Sequence, residues 1–244
     1  MCPNRRRHSA FSVLELAVAC TLFLMVLGIV FFFFRYGTRA FVTANQRQGV
    51  QVDALRVMDG LQADLKRTAS KSVLLLNNSG RTRTIESTTV HRDAISLISL
   101  KDWSDPNNTE NFDLAGSQPK WNRYWVYYAT NDDDRGSMVR LKVDPLPPPI
   151  SPTPLTILKF ANLCRDNPAL NNFDGVTPPH SYLCRNLYEF KVDKEGNNSF
   201  RISLKLQEKR QLRPDGGVVK GMETYQLQLF VRPENTYPQD LTNI

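Results

Sequence analysis

The sequence lacks the short motifs on which most enzyme chemistry is recognised. It has no GxSxG, HExxH or GxGxxG run and no phosphate-binding glycine loop. Histidine is scarce: His8, His91 and His180 are the only three, and none has a nucleophile motif beside it. Cysteine is scarce as well. Cys2, Cys20, Cys164 and Cys184 include no CxxC pair, and His180 is the only histidine near the last two, which leaves a zinc site short of ligands. The acidic run Asp132-Asp133-Asp134 lacks the alternating oxygen ligands of a calcium loop and reads as a solvated turn between Asn131 and Arg135-Gly136. These absences point away from an enzyme and from any cofactor or metal.

Acidic residues are missing from one place in particular. Residues 1–10, MCPNRRRHSA, carry Arg5, Arg6 and Arg7 and no carboxylate, so they supply three of the seven excess positive charges. The remaining excess is mild despite a pI near 9.3. No later stretch interleaves Lys and Arg with aromatics as a phosphate-tracking groove would, and no nucleic-acid partner is expected.

What the chain does have is a long apolar run. Phe11 to Phe34 reads FSVLELAVACTLFLMVLGIVFFFF, with Glu15 its single charge. As an α-helix it spans about 36 Å, enough for a bilayer core. The arginines before it favour a cytoplasmic N-terminus with the remainder exported. A secretory signal peptide needs a shorter apolar region and a small-x-small cleavage site, and only Thr38-Arg39-Ala40 follows. A lipoprotein signal at Ala17-Val18-Ala19-Cys20 fits poorly, because the apolar run continues well past Cys20. An uncleaved signal anchor accounts for everything except Glu15, since an intramembrane carboxylate is costly and normally has an assigned partner.

Ala10, Phe11, Ser12-Val13-Leu14 and Glu15, followed by apolar helix, resemble the type IV prepilin signature. The resemblance implies that a membrane-embedded prepilin peptidase cuts on the cytoplasmic side, between Ala10 and Phe11, and methylates the new Phe11 amine. That family favours glycine before the cut, where this chain has Ala10. The exposed amine can then pair with Glu15 of a neighbouring subunit in low dielectric, which offsets part of the desolvation cost and sets helix register.

Helical spacing continues beyond the bilayer through Val52, Leu55, Met58, Leu61, Leu65 and Ala69, with Asp53, Asp59, Asp64 and Lys66 on the intervening positions. This predicts a leader at 1–10, a transmembrane helix at 11–34, its amphipathic continuation at 35–70 and a β-rich periplasmic domain at 71–244. Strand signals fall at Ala94–Leu100, Trp121–Thr130, Met138–Val143 and Leu187–Val192, with strict alternation at Phe200–Leu206 and Tyr225–Val231. Turns are expected at Asn131–Gly136, Glu195–Asn198 and Asp215–Gly217. The proline-rich run Asp144–Pro154 should be an extended connector that could divide the sheet. The expected class is α+β, a long helix packed on an antiparallel sheet in a pilin-like layout.

Leu61-Gln62-Ala63-Asp64-Leu65-Lys66, AISLISL, RYWVYYA and the closing ETYQLQLFVRPEN are similar to the minor pilin W and type II secretion J-type pseudopilin group. That resemblance implies a structural subunit of an inner-membrane complex that primes or caps a filament. Its partners would be other minor pilins or pseudopilins and the major pilin, met through the N-terminal helices. The pilus role is the leading expectation, with a J-type pseudopilin or a tip-exposed adhesive module built on the 165–183 loop as alternatives. In an exported domain, Cys164 and Cys184 are expected to form one disulfide worth roughly 3 kcal/mol. Cys2 leaves with the leader, and Cys20 packs within the membrane helix.

Overall fold

The computed structural model describes residues 12–77, 79–104, 109–113, 118–132, 135–149, 151–196, 198–209 and 222–234. The leader, Ala10 and Phe11, Asp133-Asp134 and the Asp215–Gly217 turn lie outside the described residues. The chain divides into two compact units, Met1–Arg47 and Gln48–Ile244.

Helix α1 runs from Val13 to Lys66. Its described part in the first unit is exposed almost throughout, and the 18-residue window apolar enough to cross a membrane has none of its surface buried. In the second unit α1 buries Val50, Ala54, Val57, Met58, Leu61 and Leu65. Of the expected apolar face, Met58, Leu61, Leu65 and Ala69 are buried, whereas Val52 and Leu55 are each 46% exposed and Val50, Ala54 and Val57 are buried in their stead. The helix also ends at Lys66 rather than at residue 70. Its final carbonyl accepts the Glu234 backbone N–H at 3.1 Å, so one otherwise orphaned acceptor of the last turn is satisfied by the far end of the chain.

The strands are β1 (Leu74–Leu76), β2 (Thr82–Ile85), β3 (Thr88–His91), β4 (Ala94–Ser99), β5 (Phe112–Asp113), β6 (Gln118–Pro119), β7 (Arg123–Ala129) and β8 (Gly136–Val143). After the short helix α2 (Ile157–Asn162) come β9 (His180–Glu195), β10 (Ser199–Lys209) and β11 (Met222–Val231). Seven of them form one antiparallel sheet in the order β1-β4-β7-β8-β9-β10-β11. The strand pairs β2–β3 and β5–β6 stand apart from it. The proline-rich run therefore does not divide the sheet, because β8 and β9 pair directly across it.

Both faces of β4, β7 and β8 are covered. Ile95, Leu97, Tyr127, Ala129 and Met138 join the α1 side chains in one core cluster. Ala94, Ile98, Tyr124, Val126, Tyr128, Val139 and Leu141 join a second, closed by Leu155, Phe160 and Leu163 from α2 and its flanks. A strand buried on both faces needs no polar alternation, which is why β7 reads as the nearly continuous apolar and aromatic RYWVYYA. On β10, by contrast, Phe200, Ile202, Leu204 and Leu206 are buried in the α1-side cluster while Arg201 is exposed and Ser203 and Lys205 are partly so. Each large apolar side chain moved fully from water into these clusters contributes roughly 1.5–3 kcal/mol.

Candidate assembly site at the start of the apolar helix

Ser12 and Glu15 form a reciprocal pair at the N-terminus of α1. The Ser12 backbone N–H donates to Glu15 Oε2 at 2.9 Å, and the Glu15 backbone N–H donates to Ser12 Oγ at 3.2 Å. This is a capping box: the S-x-x-E spacing satisfies helix N-terminal donors that have no intrahelical acceptor. The carboxylate also sits at the positive end of the helix dipole. Sequence reading singled out Glu15 but missed Ser12, although Ser three residues before Glu at the head of an apolar run is the signal for it. An ionised carboxylate accepts at about four lone-pair positions. The Ser12 N–H occupies one of them, so the capping box does not by itself neutralise the charge.

Along the following turns the polar side chains are satisfied within the helix. Thr21 Oγ1 donates to Ala17 O at 2.8 Å, and Thr38 Oγ1 donates to Phe34 O. The apolar side chains face outward: Leu14, Leu22, Phe23, Val30 and Phe31 to Phe34 are all exposed, and so is Cys20. Glu15 is the one Asp, Glu, Lys or Arg side chain between Val13 and Phe34.

In the second unit the sequence-expected sites do not converge. Cys164 and Cys184 are separate buried thiols and form no bridge. Cys184 belongs to the cluster under α1 and Cys164 to the cluster under α2, so the sheet lies between them, and burial pushes both thiols up to about 12. The disulfide expected from the sequence is therefore corrected. His180 stacks edge-on against Tyr182 at 5.9 Å, and His91 ends β3. Asp132 is exposed. Among the described residues no three His, Cys, Asp or Glu side chains gather into a set that could hold a metal ion.

Two polar anchors escaped sequence reading. Asp64, placed on the wet face of α1 by its spacing, is 8% exposed. Its Oδ2 accepts from Tyr127 Oη and, at 2.7 Å, from Arg140 Nη2, while the Arg140 guanidinium lies 3.7 Å from the Trp125 ring centroid. Burial holds the Asp64 carboxyl above its ordinary range, although Tyr127 and Arg140 both act in the other direction. Asn171 is the second anchor. It is 1% exposed, accepts the Arg165 N–H at 3.0 Å and donates to Tyr128 Oη at 2.9 Å. The 165–183 segment is tied to the sheet in this way, with Leu170 and Val176 at its surface.

No protein-family model matches the chain, and no curated protein or solved structure matches it either.

Proposed function

We propose that this chain is a minor pilin or pseudopilin, a non-enzymatic subunit held in a bacterial inner membrane by α1 with its second unit in the periplasm. In this reading a prepilin peptidase removes residues 1–10, Phe11 becomes the methylated N-terminus, and the subunit joins other minor pilins and the major pilin through its N-terminal helix. The observation that carries the reading is the lone carboxylate Glu15 at the head of a fully exposed apolar helix. An exposed surface of that kind is stable in lipid. Outside lipid it is stable only when packed against similar helices, since each large side chain returned to water costs roughly 1.5–3 kcal/mol. A charge within it needs an opposite charge, and the amine of a neighbour's Phe11 would supply one. Val52 and Leu55, exposed on the part of α1 that also packs the sheet, suit helix-to-helix contact beyond the bilayer.

A role in a type IV pilus is favoured over a J-type subunit of a type II secretion system. The 165–183 segment carries the exposed Leu170 and Val176, a surface that suits attachment at a filament tip. The test is Glu15→Ala in the native host. The variant should insert in the membrane in normal amounts yet be lost from sheared filaments and from cross-links to partner subunits. Normal incorporation would overturn the role given to Glu15.

A further inference from the structure

The outer edge of β9 changes partners along its length. β8 pairs with β9 only as far as Leu187. Beyond that point Asp93, between β3 and β4, and Asn77, just after β1, take over. Asp93 N–H donates to Phe190 O at 3.0 Å, Val192 N–H donates to Asp93 Oδ2 at 2.8 Å, and Asn77 Nδ2 donates to Val192 O at 3.3 Å. The Asp93 carboxylate thus substitutes for the backbone acceptor of a missing neighbour strand, and it is 1% exposed.

Its second oxygen faces a histidine. Asp93 Oδ1 and His91 Nδ1 are both buried, lie 3.7 Å apart, and have no hydrogen-bond partner among the described residues. His91 closes the β2–β3 hairpin, whose turn residues Glu86 and Ser87 both adopt positive φ. The other charged groups at this junction are accounted for. From β9, Glu189 Oε1 lies 3.5 Å from the His91 backbone N–H, and Asp193 is paired with Lys191 at 3.0 Å. From the base of the hairpin, Arg81 donates to Arg92 O, Cys164 O and Ala129 O, while Arg92 Nη1 is directed at Thr130 O.

We propose that His91 and Asp93 form a proton-dependent latch that fastens the β2–β3 hairpin to β9, tightening in mild acid and loosening as pH rises toward neutrality. A neutral imidazole can turn an Nδ1–H toward Oδ1, but the pair then carries a buried negative charge. A proton on the carboxyl makes the pair neutral overall and removes most of the desolvation cost. Burial is the leading cause that raises Asp93 to about 6, with Asp193 adding to the rise while Val192 N–H, His91 and Arg81 oppose it. Opening the hairpin returns the carboxyl to water and toward its ordinary 3.8. The closed form therefore binds more protons than the open one, and closure strengthens as pH falls through 6.

The test is hydrogen exchange of the hairpin amides in the full chain in detergent micelles, expressed as protection factors from pH 5 to 7.5. Wild type should gain about tenfold protection between pH 7 and pH 5, the size set by a carboxyl with a closed-state midpoint near 6. Asp93→Asn should flatten that slope, and His91→Gln, which removes a neighbour that favours the charged carboxylate, should move the profile to higher pH. A flat wild-type profile, or a His91→Gln profile that is unmoved or shifted to lower pH, overturns the latch. Because the His91 side chain is 35% exposed, His91→Gln keeps the test decisive even if Asp93→Asn does not fold.

Discussion

Asp64 shows how one buried carboxylate can tie two distant parts of a chain. It lies on the last turns of α1, and its partners Tyr127 and Arg140 lie on β7 and β8. Removing it would leave the Tyr127 hydroxyl and one arm of Arg140 without their acceptor inside the helix–sheet interface. Asp64→Ala should therefore lower the unfolding free energy by roughly 1–3 kcal/mol in chemical denaturation, with Asp64→Asn milder because the amide oxygen can still accept. Nothing near Asp64 in the sequence announces this. Its spacing on the helix is that of a wet position, and the arginine that holds it is 76 residues away. Glu15 is the opposite case. Its serine partner is three residues away, so the S-x-x-E pair could be read directly from residues 11–34. Gly136 is intermediate: a turn glycine by sequence, it is required in the structure because an added Cβ would collide with the Arg92 guanidinium and the Thr130 carbonyl.

At the scale of elements, α1 has two apolar faces in its second unit, and each should respond to its own mutation. Leu61 is fully buried under the sheet, so Leu61→Ala should cost about 2–5 kcal/mol in thermal or chemical unfolding. Leu55 is half exposed, and Leu55→Ser should leave stability within about 0.5 kcal/mol of wild type while weakening cross-linking to neighbouring subunits. The spacing Val52, Leu55, Met58 fits a helical stripe as well as Val50, Ala54, Val57 does, and periodicity alone could not choose between faces that both carry apolar residues. The strands divide along similar lines. Phe200–Leu206 and Tyr225–Val231 were legible because one face is wet, and Arg123–Ala129 because its aromatic content suits a buried strand. The short β1, reading LLL, and the polar β2–β3 hairpin carry no periodic signal of their own and depend on long-range partners. Helix α2 was missed for a different reason. It has six residues, follows a proline-rich run, and is marked only by Thr156, whose hydroxyl accepts the Lys159 N–H.

For the whole molecule, what matters is a division of labour along one chain. Residues after Gln48 build a two-sided core, and α1 before Arg47 carries a long exposed apolar surface. Such a surface can remain in a bilayer permanently or be exchanged for contact with other helices. In the proposed assembly the exchange needs a cationic terminus beside Glu15, and that terminus would exist only once residues 1–10 had been cut away. Intact-mass and N-terminal peptide spectrometry of the chain purified from its own host decides between the two. A mature protein beginning at N-methylated Phe11 is the expected result; a protein that still begins with Arg5, Arg6 and Arg7 would contradict it.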